Sequence, residues 1–224
     1  MKREIRYAFL LILMVFSSEL LLSQTSGYLG MKNHINGNIF FMPSLSDTNS
    51  TINIALSAGY SHVWSRNFST GIGYQQFSTQ FGYKSPLTNR SGRGGINGWG
   101  IGTKARLFYF FSRGTIAPIG TYQEFQVMYQ YYTIYDQYGR YYPKPNDIEG
   151  HKIGNQGGIA IGTSLGEQRV IYKFLMLSYG INFRYVFPRI HANYTDEYLN
   201  PIIAKRIRGF QSVSFSLGIG ALIF

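Results

Sequence analysis

The chain has 224 residues, of which 45% are hydrophobic, 17% aromatic and only 14% charged, with 26 Gly, no Cys and a formal charge of +11. That length suits one all-β barrel domain, and the lack of Cys excludes disulfides, thiolate metal sites and a lipid-bearing N-terminal Cys. Charge is well below the ~25% of an ordinary soluble domain, yet a mean hydropathy of −0.09 is not that of a helical membrane protein, so the apolar residues must be dispersed along the chain.

Residues 1–23, MKREIRYAFLLILMVFSSELLLS, place Lys2, Arg3 and Arg6 ahead of an apolar stretch from Tyr7 to Phe16, followed by small residues and Gln24. This is the layout of a secretory signal peptide cleaved near Ser23. Glu19 interrupts the run before it reaches the ~20 apolar residues of a spanning helix, and no other segment is long and apolar enough for one. Residues 24–224 are then the folded domain.

From Tyr28 onward the dominant period is two, the signature of strands whose faces meet different media. Eight strands are predicted, at roughly 28–42, 51–64, 68–82, 98–111, 117–135, 157–165, 172–187 and 209–224. Short turns join the second and third at 65–67, the fourth and fifth at 112–116, and the sixth and seventh at Gly166-Glu167-Gln168-Arg169. The other connections, 43–50, 84–97, 136–156 and 188–208, are long and rich in Asn, Gly, Pro and charge. An even number of antiparallel strands, with tight turns at one end and long loops at the other, is the arrangement of a transmembrane outer-membrane barrel.

Parity within the strands agrees. Ile52, Ile54, Leu56, Tyr60 and Trp64 share one face of the second strand, and Asn53, Ser57, Gly59 and Ser61 the other. Trp99, Ile101, Leu107, Tyr109 and Phe111 oppose Gly100, Gly102, Lys104 and Arg106 in the fourth, and Leu175 to Phe187 repeat the pattern in the seventh. A soluble lipocalin-like barrel also has eight alternating strands, but it would turn the bulky face inward and leave Gly, Ser and Ala to face water. Trp64 with Phe68, and Trp99 with Tyr131, sit near strand ends like the aromatic girdles of membrane barrels. In the closing segment, Val213, Phe215, Leu217, Ile219, Ala221 and Ile223 face lipid, while Phe224 falls on the opposite parity.

Four stretches, the SQ after the signal segment, GYLGMKNHINGNIFFMPSL, APIGTYQEFQ and LGIGALIF, resemble the small outer-membrane β-barrel proteins of Bacteroidota, OmpA-type in architecture. The resemblance spans nearly the whole mature chain. It implies insertion by the outer-membrane assembly machinery, which reads a last strand ending in an aromatic residue, here Phe224; it implies no particular activity.

Polar residues on the inner parity are the candidates for a role. If Phe111 pairs with Ile119 across the turn, Arg106 lies opposite Glu124 and Lys104 opposite Gln126. The cross-strand ion pair that follows is either a gate or a charge-satisfying element of a closed lumen, and Arg184 and Lys32 are expected to join the same interior column. Nucleophilic catalysis would need a hydroxyl, a base and an orienting acid in reach of one another. Adjacent strand residues point to opposite faces, so Ser61 and His62 cannot serve, and His34 is expected in the lumen, with His151 and His191 in loops. Ser91-Gly92-Arg93-Gly94-Gly95 lacks the following helix that a phosphate cradle needs and reads as an outer loop. No metal-ligand spacing occurs, and nothing calls for a cofactor. Tyr135 to Tyr142, YDQYGRYY, has the composition of a protein or glycan contact surface.

The expectation is an eight-stranded antiparallel up-and-down barrel in the bacterial outer membrane, with both termini in the periplasm. Its basic outer loop, Lys205, Arg206 and Arg208, would contact anionic lipopolysaccharide or a partner. No nucleic-acid recognition motif accompanies the charge. The function expected is structural or surface interaction without catalysis; a narrow solute channel and a lipid A-modifying enzyme are the alternatives.

Overall fold

A computed structural model of the chain describes residues 30–43, 52–84, 91–109, 117–136, 151–189 and 199–223. Eight strands follow in chain order: β1 (Asn33–Pro43), β2 (Ile52–Ser65), β3 (Phe68–Lys84), β4 (Ser91–Tyr109), β5 (Gly120–Asp136), β6 (His151–Tyr172), β7 (Leu175–Arg189) and β8 (Val213–Ile223). Each pairs antiparallel with its chain neighbour, and β8 closes on β1 with Asn33 opposite Ile223, giving a closed up-and-down barrel. One helix, α1 (Leu199–Phe210), lies between β7 and β8. The signal-peptide expectation, Phe224, His191 and most of the Tyr135–Tyr142 stretch fall outside the described residues.

The outer wall is apolar. On β4, Trp99, Ile101, Leu107 and Tyr109 are exposed, and the same holds for Ile54, Leu56, Tyr60 and Trp64 on β2, Ile181, Phe183, Tyr185 and Phe187 on β7, and Phe215, Leu217 and Ile219 on β8. A wall of this kind has no stable place in water, and closure removes every strand edge, which is what a hydrocarbon medium demands. From Trp99 to Tyr109, at ~3.3 Å per residue and a tilt near 40°, the apolar band of β4 is about 25 Å tall, the height of a membrane belt. Trp99 stacks beside Tyr131 at 5.8 Å and Tyr129 at 6.2 Å at one margin. At the other margin Trp64 donates to Thr70 at 2.7 Å and Tyr109 to Gln123 at 2.6 Å, each aromatic keeping a polar handle where lipid meets water.

Four strands overshoot this belt. β3, β4, β5 and β6 are 17, 19, 17 and 22 residues long, against 11 for β1 and β8. The excess lies at the long-connection end, and there the sidedness reverses. Gln76, Ser78 and Gln80 face outward on β3 and Arg93 and Asn97 on β4, whereas Phe77, Phe81, Tyr83, Ile96, Tyr132 and Ile134 point inward and are buried. Ile203, Ile207 and Phe210 of α1 complete that cluster. In the belt the wall is greasy outside and polar inside; beyond it, the same strands form an ordinary water-facing domain with an apolar core.

Several sequence expectations need correction. Gly166 to Arg169 is not a turn: β6 runs on to Tyr172 and reverses at Lys173 and Phe174. The polar run misled because its alternation is genuine, with Gln168 buried inside and Glu167 and Arg169 outside, paired at 2.6 Å. Ser91 to Gly95 is not a loop either, since it pairs with β3 from Lys84 onward. His151 likewise begins β6 and is no loop residue. The connection 188–208 is not all loop: β7 runs on to Arg189 and α1 takes up Leu199–Phe210, where Ile203, Ile207 and Phe210 recur at helical spacing and Pro201 is tolerated in a first turn. Lys32 is exposed, outside the lumen column, because β1 starts only at Asn33.

Candidate functional site

The interior of the barrel is the candidate site, and β4 and β5 supply its centre. Their register sets Arg106 opposite Glu124 and Lys104 opposite Gln126. Arg106 Nε meets Glu124 Oε2 at 2.5 Å, with both side chains buried. Arg106 Nη1 also donates to Gln168 at 2.8 Å, and its guanidinium lies 4.4 Å from the centre of the Tyr122 ring. Carboxylate, amide and aromatic face thus hold one guanidinium, the geometry in which Arg is favoured over Lys. Lys104 reaches across the lumen instead, donating to Asn36 of β1 at 3.1 Å.

Arg184 of β7 joins them. Its Nη1 donates to Gln75 at 2.6 Å and to Gln211 at 3.0 Å, and its Nη2 to Gln126 at 3.2 Å. Gln130 donates to the same Gln211 oxygen at 2.8 Å, Gln211 donates to the Tyr132 hydroxyl at 3.3 Å, and that hydroxyl donates to Gln130. Gln211 follows α1 directly, so this ring of amides ties the helix to the lumen floor beneath it.

Arg206 closes the stack. Expected in a basic outer loop, it is buried, and its Nε and Nη2 donate to Thr79 at 3.2 and 3.0 Å. Thr79 in turn donates to Asn53 at 2.7 Å. The correction follows from helix geometry: Arg206 lies beside Ile203 and Ile207 on the inward face, while Lys205 and Arg208 remain exposed. Of the three basic residues, only those two present charge to solvent.

His34 and His62, the two histidines whose side chains are described, do not converge. His34 is fully buried opposite Ser61, but neither of its ring nitrogens nor Ser61 Oγ has a hydrogen-bond partner. His62 points away from Ser61, bonded to Asn33 at 2.7 Å and edge-on to Trp64. Among the described residues no hydroxyl, base and acid form a relay, and no three His, Asp or Glu side chains gather as a metal-ligand set.

The large amides and aromatics that fill the lumen were missed in the sequence, where the inner face read as Gly and Ser. Glycine marks their seats. Phe77 lies opposite Gly98, Phe81 opposite Gly94, Tyr83 opposite Gly92 and Tyr122 opposite Gly166, and a Cβ at any of the four would come within 2.2 to 2.6 Å of the facing ring.

No family model matches the chain, and no curated protein matches it in sequence. Among solved structures, Neisserial surface protein A is 12% identical, the match covering 85% of this chain and 97% of that one with a TM-score of 0.49. The attachment invasion locus protein Ail of Yersinia pestis, in complex with the heparin analogue sucrose octasulfate, is 7% identical, covering 86% and 97%, with a TM-score of 0.45.

Proposed function

We propose that the chain is an integral outer-membrane barrel, OmpA-type in architecture and of the kind found in Bacteroidota, with a structural or surface-interaction role and no catalytic one. The observation that carries this reading is the filled lumen. Side chains from β1, β3, β4, β5 and β7 cross it, and α1 seats Ile203, Ile207 and Phe210 over its long-connection mouth. A plug of this kind favours a closed barrel over a solute channel, and no hydroxyl–base pair among the described residues supports a lipid A-modifying enzyme.

In this reading the tight turns and both termini lie in the periplasm, after removal of residues 1–23, and Phe224 serves the assembly machinery. The overshoot of β3 to β6 stands outside the cell. Its exposed cations, Arg93, Lys152, Lys205 and Arg208, suit the phosphates of lipopolysaccharide or an anionic glycan or protein partner. The lumen cluster of Lys104, Arg106, Glu124 and Arg184 holds the plug in register.

Planar-bilayer recording and gene deletion test the proposal together. A plugged structural barrel gives no steady conductance, and its loss sensitises the envelope to detergent and large antibiotics. Stable unitary conductance from the unmodified protein would replace this reading with the channel, and an altered lipid A mass spectrum on deletion would replace it with the enzyme.

A further inference from the structure

Midway down the lumen lies a cavity of about 50 Å³ into which Lys104, Arg106 and Arg184 all face, with Glu124 as its one lining carboxylate. Glu124 is engaged by Arg106 at 2.5 Å. Lys104 and Arg184 meet neutral amide oxygens only: Asn36 for the first, Gln75, Gln126 and Gln211 for the second. Lys104 and Arg184 therefore touch no carboxylate, and Glu124 is the one lining acid set against three buried cations in a membrane-embedded interior, a costly arrangement.

The amides add a second and independent observation. Asn36, Gln75 and Gln126 each turn the side-chain oxygen to a cation, which leaves the NH₂ group on the other side. All three of those nitrogens, Asn36 Nδ2, Gln75 Nε2 and Gln126 Nε2, are buried without a partner, and all three residues line the same cavity. Reversing an amide would aim its NH₂ at Lys104 or Arg184, so the cations fix the orientation. An amide NH₂ donates and cannot accept. The residues around this space thus carry orphaned donors and surplus positive charge.

We infer that this cavity binds one small inorganic anion, a halide such as chloride. A water needs roughly 10–15 Å³ of such space, so the ~50 Å³ here takes a halide with a few waters and excludes anions much larger than acetate. Water alone would satisfy some of the donors but would leave Lys104 and Arg184 uncompensated.

The experiment uses the full barrel folded in detergent micelles, equilibrated in gluconate salt and then titrated with chloride or bromide at constant ionic strength. The expected result is a saturable rise in the thermal midpoint, as for any ligand bound only by the folded state. Lys104→Met and, separately, Gln126→Leu weaken the apparent halide affinity at least about tenfold, while Lys205→Gln on the exposed helix face leaves it unchanged. Crystals grown in bromide carry an anomalous peak between Lys104 and Arg184. A midpoint identical in gluconate and chloride, a non-saturating dependence shared by all three variants, or density in the cavity that is water alone would each overturn the assignment.

Discussion

Phe77 of β3 lies directly across from Gly98 of β4, and its ring occupies the place where a side chain on Gly98 would begin: a Cβ there would sit 2.2 Å from the ring and 2.8 Å from the Tyr131 carbonyl. The ring cannot swing aside, because Tyr132 and Phe210 pack on it at 5.4 and 5.7 Å. Gly98→Ala should therefore overpack the cluster and cost about 1–3 kcal/mol. Gly82→Ala, where a Cβ meets nothing within 4 Å, should stay within about 0.5 kcal/mol of the parent. Urea unfolding in micelles, followed by tryptophan fluorescence, separates the two.

Removing one partner of the Arg106–Glu124 pair leaves a buried charge without its counterpart. Glu124→Gln is expected to destabilise the barrel by about 3–5 kcal/mol. The double variant Arg106→Met with Glu124→Gln should lose less than the two single changes added together, because both charges go at once. A double-mutant cycle on the same unfolding curves checks this.

The plug should loosen when its apolar underside is cut. Phe210 is fully buried, and Phe210→Ala removes roughly 3–5 kcal/mol of packing, much of what holds α1 down. Trypsin added to intact vesicles should then cleave after Lys205 and Arg208 at least about tenfold faster than in the parent, with the barrel strands still protected. Equal cleavage rates would mean that α1 is held by something other than this cluster.

The reversal of sidedness gives a scan with a sharp break. Ile101→Lys, in the middle of the apolar band, should cost about 2–4 kcal/mol. Gln80→Lys, on the same outer surface of the overshoot, should cost nothing measurable, because that position already faces water. Refolding into lipid vesicles, read by the gel shift of heated against unheated protein, places the boundary between them.

The strands were legible because a period of two survives any uncertainty about ends, and the β4–β5 register was legible because pairing Phe111 with Ile119 already sets Arg106 against Glu124, the register found, although Phe111 and the turn at 112–116 lie outside the described residues. The interior was harder. Gly92 and Gly94 read as part of an outer loop and Gly98 as the start of a strand lining a lumen too narrow for large side chains, whereas each is the seat of a ring from the neighbouring strand, a relation that exists only across the pairing. Helix α1 was hidden by its brevity and by Pro201, although Ile203, Ile207 and Phe210 carry its period. Arg206 could not be told from Lys205 and Arg208 by composition; only the turn of the helix separates a buried guanidinium from two solvated cations.

Between the end of α1 at Phe210 and the start of β8 at Val213 stand only Gln211 and Ser212, a tether of at most about 10 Å. Ser212 accepts a hydrogen bond from the Arg184 backbone at 3.0 Å, and Gln211 is gripped by Arg184 and Gln130. The lid over the mouth and the strand that zips the cylinder shut are thus one latch. The lid cannot lift away at its Phe210 end without pulling the leading edge of β8 from β7.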